Sequence, residues 1–423
     1  MSLDVDGTII NNTHMPKAIL QYGSVFGLIW TLCTCLFYTN LVPRPILYGG
    51  LALFLVCWLI ELIIDRRWCT KPTREWVFFG LMIAFYLWAF LYWPWDGTVY
   101  FKHHLEQRLP LLAFGLVGLF GLNERHSRAI MINAMVLMSV CSVLFLLYKT
   151  GWHTIIYDPH RALLIADVRI QYINAHMGYN FFLNSTLIGM WYLLFHADRK
   201  PQLWQKIVYP IASLFIFCAL LLSEGRSGFF MGLAIVGMMI IIELYRLRKW
   251  LGITFSVIII TFMTLSVYLH PRISSNSVTH DLRFVYWKAA GDLIQEKPIF
   301  GYGMSNAQEQ FDQVNMKYAT EWDKQYWTVV NTHYIDCHNQ YIQTTLEYGV
   351  IGLLILLAIY LSPLIICWGK REWWLAFFFT LISMGQSLFD MFLTGRFNTI
   401  YCILFLMVLR ITNDYPFPTR REA

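Results

Sequence analysis

Apolar runs of bilayer-spanning length recur along the whole chain, and they restrict it to very few folds. In hydrocarbon every backbone N–H and C=O must find its partner within the protein, so such runs become α-helices unless they close into a barrel. A run of about 20 consecutive apolar residues has the length of a transmembrane helix. Windowed hydropathy gives about twelve spans, near residues 18–38, 45–65, 76–95, 109–122, 129–148, 177–197, 206–222, 228–244, 252–269, 349–368, 373–390 and 397–411, of which the fourth is short and leaves eleven as the alternative. Composition agrees: 57% of 423 residues are hydrophobic and 14% charged, with a mean hydropathy of +0.50. These values lie outside the range of ordinary globular chains. The expected fold class is an all-α polytopic membrane protein with about twelve transmembrane helices, forming a single integral membrane domain over residues 1–423.

No repeat, low-complexity tract or flexible linker divides the chain. The polar run Met1 to Lys17 precedes a first apolar run already of spanning length, so that helix is expected to act as its own insertion signal. Of nine cysteines, all but Cys69 and Cys337 lie within or at the ends of apolar spans, which suggests neither paired thiols nor a metal-ligand set. The formal charge of +6 is carried largely by short loops, so it reads as orientation and lipid contact, with no nucleic-acid partner.

Positive charge sets the expected orientation. Arg66, Arg67, Lys71 and Arg74, then Arg125 and Arg128, then Arg199, Lys200 and Lys206, then Arg246, Arg248 and Lys249, then Lys370 and Arg371 all fall in alternate loops close to span ends. By the positive-inside rule these mark the cytoplasm, together with both termini. The opposite side holds residues 149–176 and a large loop, residues 270–348, between the ninth and tenth spans. Within it Leu282, Val285, Ala289 and Leu293 recur at helical spacing and stop before Pro298, which predicts an amphipathic helix lying on the membrane surface. Trp322, Tyr326 and Trp327 suit a headgroup-level aromatic belt.

Candidate chemistry gathers on that outer side. His338 stands in Asp336-Cys337-His338-Asn339, roughly three helical turns before the tenth span, where an imidazole beside an acid could take a proton from an attacking hydroxyl. Arg226 lies in the turn Ser223-Glu224-Gly225-Arg226-Ser227-Gly228, and Arg283 opens the amphipathic helix. Arg161 and Arg169 precede Asn174 and His176, while Lys102, His103, His104 and Arg108 form a basic group before the fourth span. Converging guanidinium groups would grip a phosphate or pyrophosphate, because Arg pairs its donors with phosphate oxygens and keeps its charge when desolvated. Each of these also has a structural reading as a snorkelling or topological residue. Glu347 could simply favour a helix N-terminus, and Asp390 could pair with Arg396 at the surface. The acid pairs Asp4/Asp6 and Glu321/Asp323 lack the further ligands of a metal site.

Three motifs in residues 223–355 together resemble the bacterial O-antigen ligase and polymerase superfamily, most closely the O-antigen ligases. They are the Ser223-Glu224-Gly225-Arg226-Ser227-Gly228 turn; Arg283, Trp287 and Ala290 followed by Pro298-Ile299-Phe300-Gly301-Tyr302-Gly303; and His338-Asn339 followed by Glu347, Gly349 and Gly352. Glu224 departs from the small or hydroxylated residue expected in that turn. The resemblance implies a glycosyltransferase fold of the C type with a periplasmic helical loop. It implies transfer of a glycan from undecaprenyl pyrophosphate to a sugar hydroxyl of lipid A-core, at the periplasmic face of the inner membrane. With that reading, catalysis is expected of His338, Arg283 and Arg226, and substrate binding of Arg161, Arg169, Lys102, Arg108, His176, Asn339, Glu347 and Asp390. No cofactor and no metal are expected, and the carbohydrate product inverts its anomeric configuration.

A polymerase of the same superfamily would carry the same motifs and elongate the carrier-linked glycan instead. A lipid-linked glycan transporter would need charges deep in the spans and symmetry between halves, whereas Glu61, Glu243 and Asp390 lie near span ends.

Overall fold

Long apolar stretches ending in turn residues become helices, and helices make up the architecture. The computed structural model describes residues 14–37, 42–67, 73–92, 99–158, 165, 176–222, 226–268, 282–318 and 336–411. Fifteen helices lie among them. The first six are α1 (His14–Thr34), α2 (Arg44–Ile64), α3 (Trp76–Phe90), α4 (Val99–Phe120), α5 (Arg128–Thr150) and the short α6 (Trp152–Tyr157). Next come α7 (His176–Phe195), α8 (Leu203–Leu222), α9 (Arg226–Leu247) and α10 (Lys249–Tyr268). The chain closes with α11 (Leu282–Glu296), α12 (Met304–Tyr318), α13 (Gln340–Ile366), α14 (Trp373–Ser387) and α15 (Gly395–Leu409).

Each of the twelve apolar segments overlaps one of these helices. By length and composition, five described stretches could cross a membrane: Pro45–Ile64, Arg128–Thr150, Leu203–Leu220, Gly228–Leu247 and Gln340–Ile366. Trp76–Phe90, Lys249–Thr261 and Gly395–Leu409 are shorter apolar helices. The set fits a multi-pass membrane protein. Outward faces are apolar as well, for example Ile207, Ile211 and Leu214 on α8 and Ile253, Val257 and Ile260 on α10, all exposed.

α15 is the centre of the bundle. Every residue from Asn398 to Leu409 is buried, as expected of a helix apolar on all sides, and it packs on α4, α14, α1 and α5. Its last carbonyls need donors in a place without water. Arg128 supplies them, donating from Nη2 to Val408 O at 2.9 Å and from Nε to Met407 O at 3.3 Å. Arg410 does the same for α4, reaching Gly118 O at 2.7 Å and Leu119 O at 3.0 Å. Arg128, which the sequence assigns to topology, thus also closes a helix end.

Three parts of the fold differ from the sequence expectation. The helix of the fourth apolar run begins well before that run: α4 starts at Val99 and runs through Pro110, so Lys102 to Arg108 ride on the helix itself. Residues 270–348 hold a second described helix, α12, whose sequence is too polar for an apolar run to mark it. The expected amphipathic helix exists as α11, but its apolar stripe faces protein rather than a membrane surface. Tyr286, Ala289, Ala290 and Leu293 pack with Ala307 and Phe311 of α12 and with Cys337 and Leu346. Trp322, Tyr326 and Trp327 lie outside the described residues.

The most consequential local feature is a break in α13 at Gly349, where φ is 66° and ψ −168°, a conformation essentially reserved for glycine. A break leaves carbonyls without helical donors, each costing about 1–3 kcal/mol if buried and unmet. The Pro298-to-Gly303 corner meets them. Tyr302 N donates to Leu346 O at 3.0 Å, Gly303 N to Glu347 O at 2.8 Å, and Val350 N returns a bond to Pro298 O at 2.8 Å. The approach is so close that a Cβ on Gly349 would lie 2.0 Å from Ile299 O, and one on Gly301 2.7 Å from Glu347 O. Gly301 and Gly303 also have positive φ. The corner is braced from outside by Trp88 stacked on Phe300. Gly349→Ala should therefore lower the thermal unfolding midpoint of the detergent-purified protein, with at least about 1–3 kcal/mol lost to backbone strain; an unchanged midpoint would mean the break is not required.

Candidate functional site

His338 stands one residue before the cap of α13. Asn339 is that N-cap, its Oδ1 accepting from Tyr341 N at 3.0 Å and Ile342 N at 3.1 Å, while its amide donates to Leu388 O at 3.2 Å. His338 itself has φ 45°, the left-handed region that costs a non-glycine residue about 1–3 kcal/mol. Asp336 holds it there: Oδ1 accepts from His338 N at 2.8 Å.

The ring nitrogen Nδ1 of His338 lies 3.3 Å from Asp336 Oδ1 and 3.8 Å from Asp390 Oδ1. Asp390 comes from the turn after α14, and a buried side chain brings it there. Gln340 Oε1 accepts from the backbone N–H groups of Phe392 and Leu393, both at 2.8 Å. The third wall is α11. Trp287 Nε1 donates to Cys337 O at 3.0 Å, and the Tyr286 ring centroid lies 5.9 Å from that of His338. One turn from Trp287 on the same face, Arg283 is close enough for its charge to lower the pKa of both Asp336 and His338.

Two more helices end beside this turn. Gly178 of α7 packs against Phe397, and Phe181 of α7 meets Phe392 edge to face with centroids 4.5 Å apart. Gly228 in the first turn of α9 packs on the Asn180 side chain, and Asn184 donates to Gly228 O at 3.1 Å, an interhelical bond of about 0.6 kcal/mol. The starts of α7 and α9, at His176 and Arg226, are thereby on the same end of the bundle as the His338 corner. The positive ends of helix dipoles favour anions.

Electrostatics define what the ring can do. The His338 pKa is raised from its ordinary 6.5, first by hydrogen bonding to Asp390 and further by the charges of Asp336 and Asp390, against burial and Arg283. Asp336 is also raised, mainly by burial and then by Asp390, with His338 and Arg283 opposing. With Nδ1 turned to the carboxylates and the side chain 44% exposed, Nε2 is the position open to a reactant's proton. Asp336, His338 and Asp390 bring ligand atoms within 4.8 Å of one another, a donor set that a divalent cation could use. The Arg283 charge and the tightened hold of His338 on its proton both work against a cation there.

The remaining sequence candidates sort by placement. Arg108 and Glu347 find each other: Nη2 and Oε2 are 2.6 Å apart, with side chains 1% and 2% exposed. Asp390, expected beside Arg396, instead faces His338. Arg161 and Arg169 lie outside the described residues, and for Lys102, His176 and Arg226 only the helix backbone is described. Sequence reasoning missed Gln340 and Gln343; their one signal is that two amides open an apolar span.

The comparisons bear on the stretch that carries these residues. The family model described as O-antigen ligase matches residues 211–357. Those residues belong to the O-antigen ligase family. They contain Arg226, Arg283, His338 and Glu347, whereas Asp390 and Arg108 lie beyond them. A Rickettsia felis (strain ATCC VR-1525 / URRWXCal2) protein named as a candidate polysaccharide ligase is 32% identical over 193 residues, 39% of this chain and 45% of that relative. The chain thus spans less than half the length of the curated relative it matches. Both matches support the O-antigen ligase and polymerase superfamily.

Asp390→Asn should lower the His338 pKa, because it removes a negative charge that raises it. NMR titration of the ring resonances measures this, and an unmoved pKa would leave Asp336 as the sole determinant. Since the folded pKa is the higher one, this interaction stabilises the protein below about 6.5 and fades as pH rises through the folded value.

Proposed function

We propose that this O-antigen ligase-family protein transfers a completed glycan from undecaprenyl pyrophosphate to a sugar hydroxyl of lipid A-core. The reaction takes place at the periplasmic face of the bacterial inner membrane, within a helical glycosyltransferase fold of the C type with both termini cytoplasmic. The observation that carries the reading is His338, with Nδ1 facing Asp336 and Asp390 and the Arg283 charge alongside.

The acceptor hydroxyl attacks the anomeric carbon and gives its proton to His338 Nε2. The bond from that carbon to the pyrophosphate oxygen breaks, and the pyrophosphate leaves with the electron pair. Attack opposite the leaving group inverts the anomeric configuration. Asp336 and Asp390 orient the ring and stabilise the imidazolium as it forms, so proton transfer develops no uncompensated charge. Arg283, and Arg226 at the start of α9, take the charge growing on the pyrophosphate. This division of labour leaves no task for a divalent metal. The lipid-linked donor and the lipid acceptor both reach the site through the bilayer.

Purified protein in liposomes with lipid-linked glycan and lipid A-core should form glycan-bearing lipid A-core, and His338→Ala should reduce the rate by about 100-fold or more while remaining folded. Elongation of the carrier-linked glycan instead would assign the protein to polymerisation. Chelation with EDTA should leave the rate unchanged; loss restored by magnesium would remove the metal-independent mechanism.

A further inference from the structure

A chain of buried polar contacts ends beside His338. Arg108 on α4 meets Glu347 Oε2 at 2.6 Å. Glu347 Oε1 accepts from Gln343 Nε2 at 2.8 Å. Gln343 Oε1 then accepts from Cys337 N at 3.1 Å, and Cys337 O accepts from Trp287 Nε1 at 3.0 Å. Both polar atoms of the Cys337 backbone, next to His338, are thus held from opposite sides, one through α13 and α4 and the other through α11.

We propose that Gln343, Glu347 and Arg108 are positioning residues for the proposed transfer reaction, a relay that holds Cys337 and thereby aims the His338 ring at its carboxylates and substrate. The inference rests on the functional reading only for its effect on turnover. Three observations support it.

The relay joins side chains from several separate helices. Arg108 also contacts Met304 Sδ at the head of α12 and lies 5.3 Å from the Tyr348 ring centroid, so α4, α12 and α13 all set its position. Each member is sealed off: Arg108 and Glu347 are 1% exposed and Gln343 5%. Water therefore cannot replace a missing link.

His338 also needs the restraint. Its φ of 45° is a conformation a histidine leaves when free to do so. The groups facing the ring are Asp336 from its own loop, Asp390 from the turn after α14, and Arg283 and Tyr286 from α11. A backbone relaxation at residues 337–338 would move the ring relative to all four.

Stability alone is a poor explanation for the ion pair, because well-packed apolar groups often replace buried pairs without loss. That argument supplies the discriminating test. Gln343→Leu keeps the volume and cuts the relay next to Cys337. The double variant Arg108→Met, Glu347→Leu keeps an apolar packing while removing the anchor.

The full-length, detergent-purified protein is expected to show a lower His338 pKa by NMR titration in both variants. In the liposome assay kcat should fall about tenfold to a hundredfold, the scale of a misplaced catalytic group, with acceptor KM changed less than about twofold and the unfolding midpoint kept in at least one variant. Glu347→Gln, which retains an acceptor for Gln343, should recover most of the kcat lost in the double variant. A His338 titration identical to wild type in either folded variant overturns the relay, as does a fall in unfolding midpoint with kcat and the titration unmoved. Because the titration needs no substrate, the relay stands or falls by it even if wild type transfers no glycan, an outcome that would refute only the functional reading.

Discussion

Everything distinctive about this molecule depends on the broken hydrogen-bond ladder of α13 at Gly349. A helix inside a membrane protein normally satisfies its own backbone, and interrupting it leaves carbonyls that neither lipid nor packed side chains can serve. The Pro298-to-Gly303 corner donates to two of them and accepts from the freed N–H of Val350. That docking ties α11 and α12 to the bundle. It also makes residues 340–348 a separate short arm, which carries His338 at its outer end and Glu347 at the break.

The site then forms from pieces that share no sequence neighbourhood. Asp336 lies just before the arm, Asp390 arrives through the Gln340 contact with Phe392 and Leu393, and α11 contributes Arg283, Tyr286 and Trp287. Most connectors are amides with both ends occupied. In surroundings of low dielectric such fully paired networks hold geometry well, while a partial one is costly.

Arginine does three kinds of work here. Arg128 and Arg410 finish helix C-termini, Arg108 anchors Glu347, and Arg283 places charge beside the histidine. Their residue type and their nearness to span ends are the same. The family region at residues 211–357 contains only Arg283 of these four, so the chemistry of that region is completed by elements before and after it.

The apolar helices were legible from sequence because hydrocarbon imposes a length and a composition on each helix separately, and α11 was legible from its apolar period. His338, Arg283 and Arg226 stood out because charged and titratable groups next to apolar spans require a reason. Other things were decided only in three dimensions. Arg108 and Glu347 are 239 positions apart, and which of them meets substrate or partner cannot be read from either sequence neighbourhood. Asp390 likewise has an equally good local partner in Arg396, and only the packing of α14 against α13 brings it to His338. The amphipathic pattern of α11 shows that one face is apolar without showing what covers it, since a period of 3.6 residues is identical for lipid and for protein. Local physics fixes the elements, whereas partners for buried charge depend on which helix ends coincide.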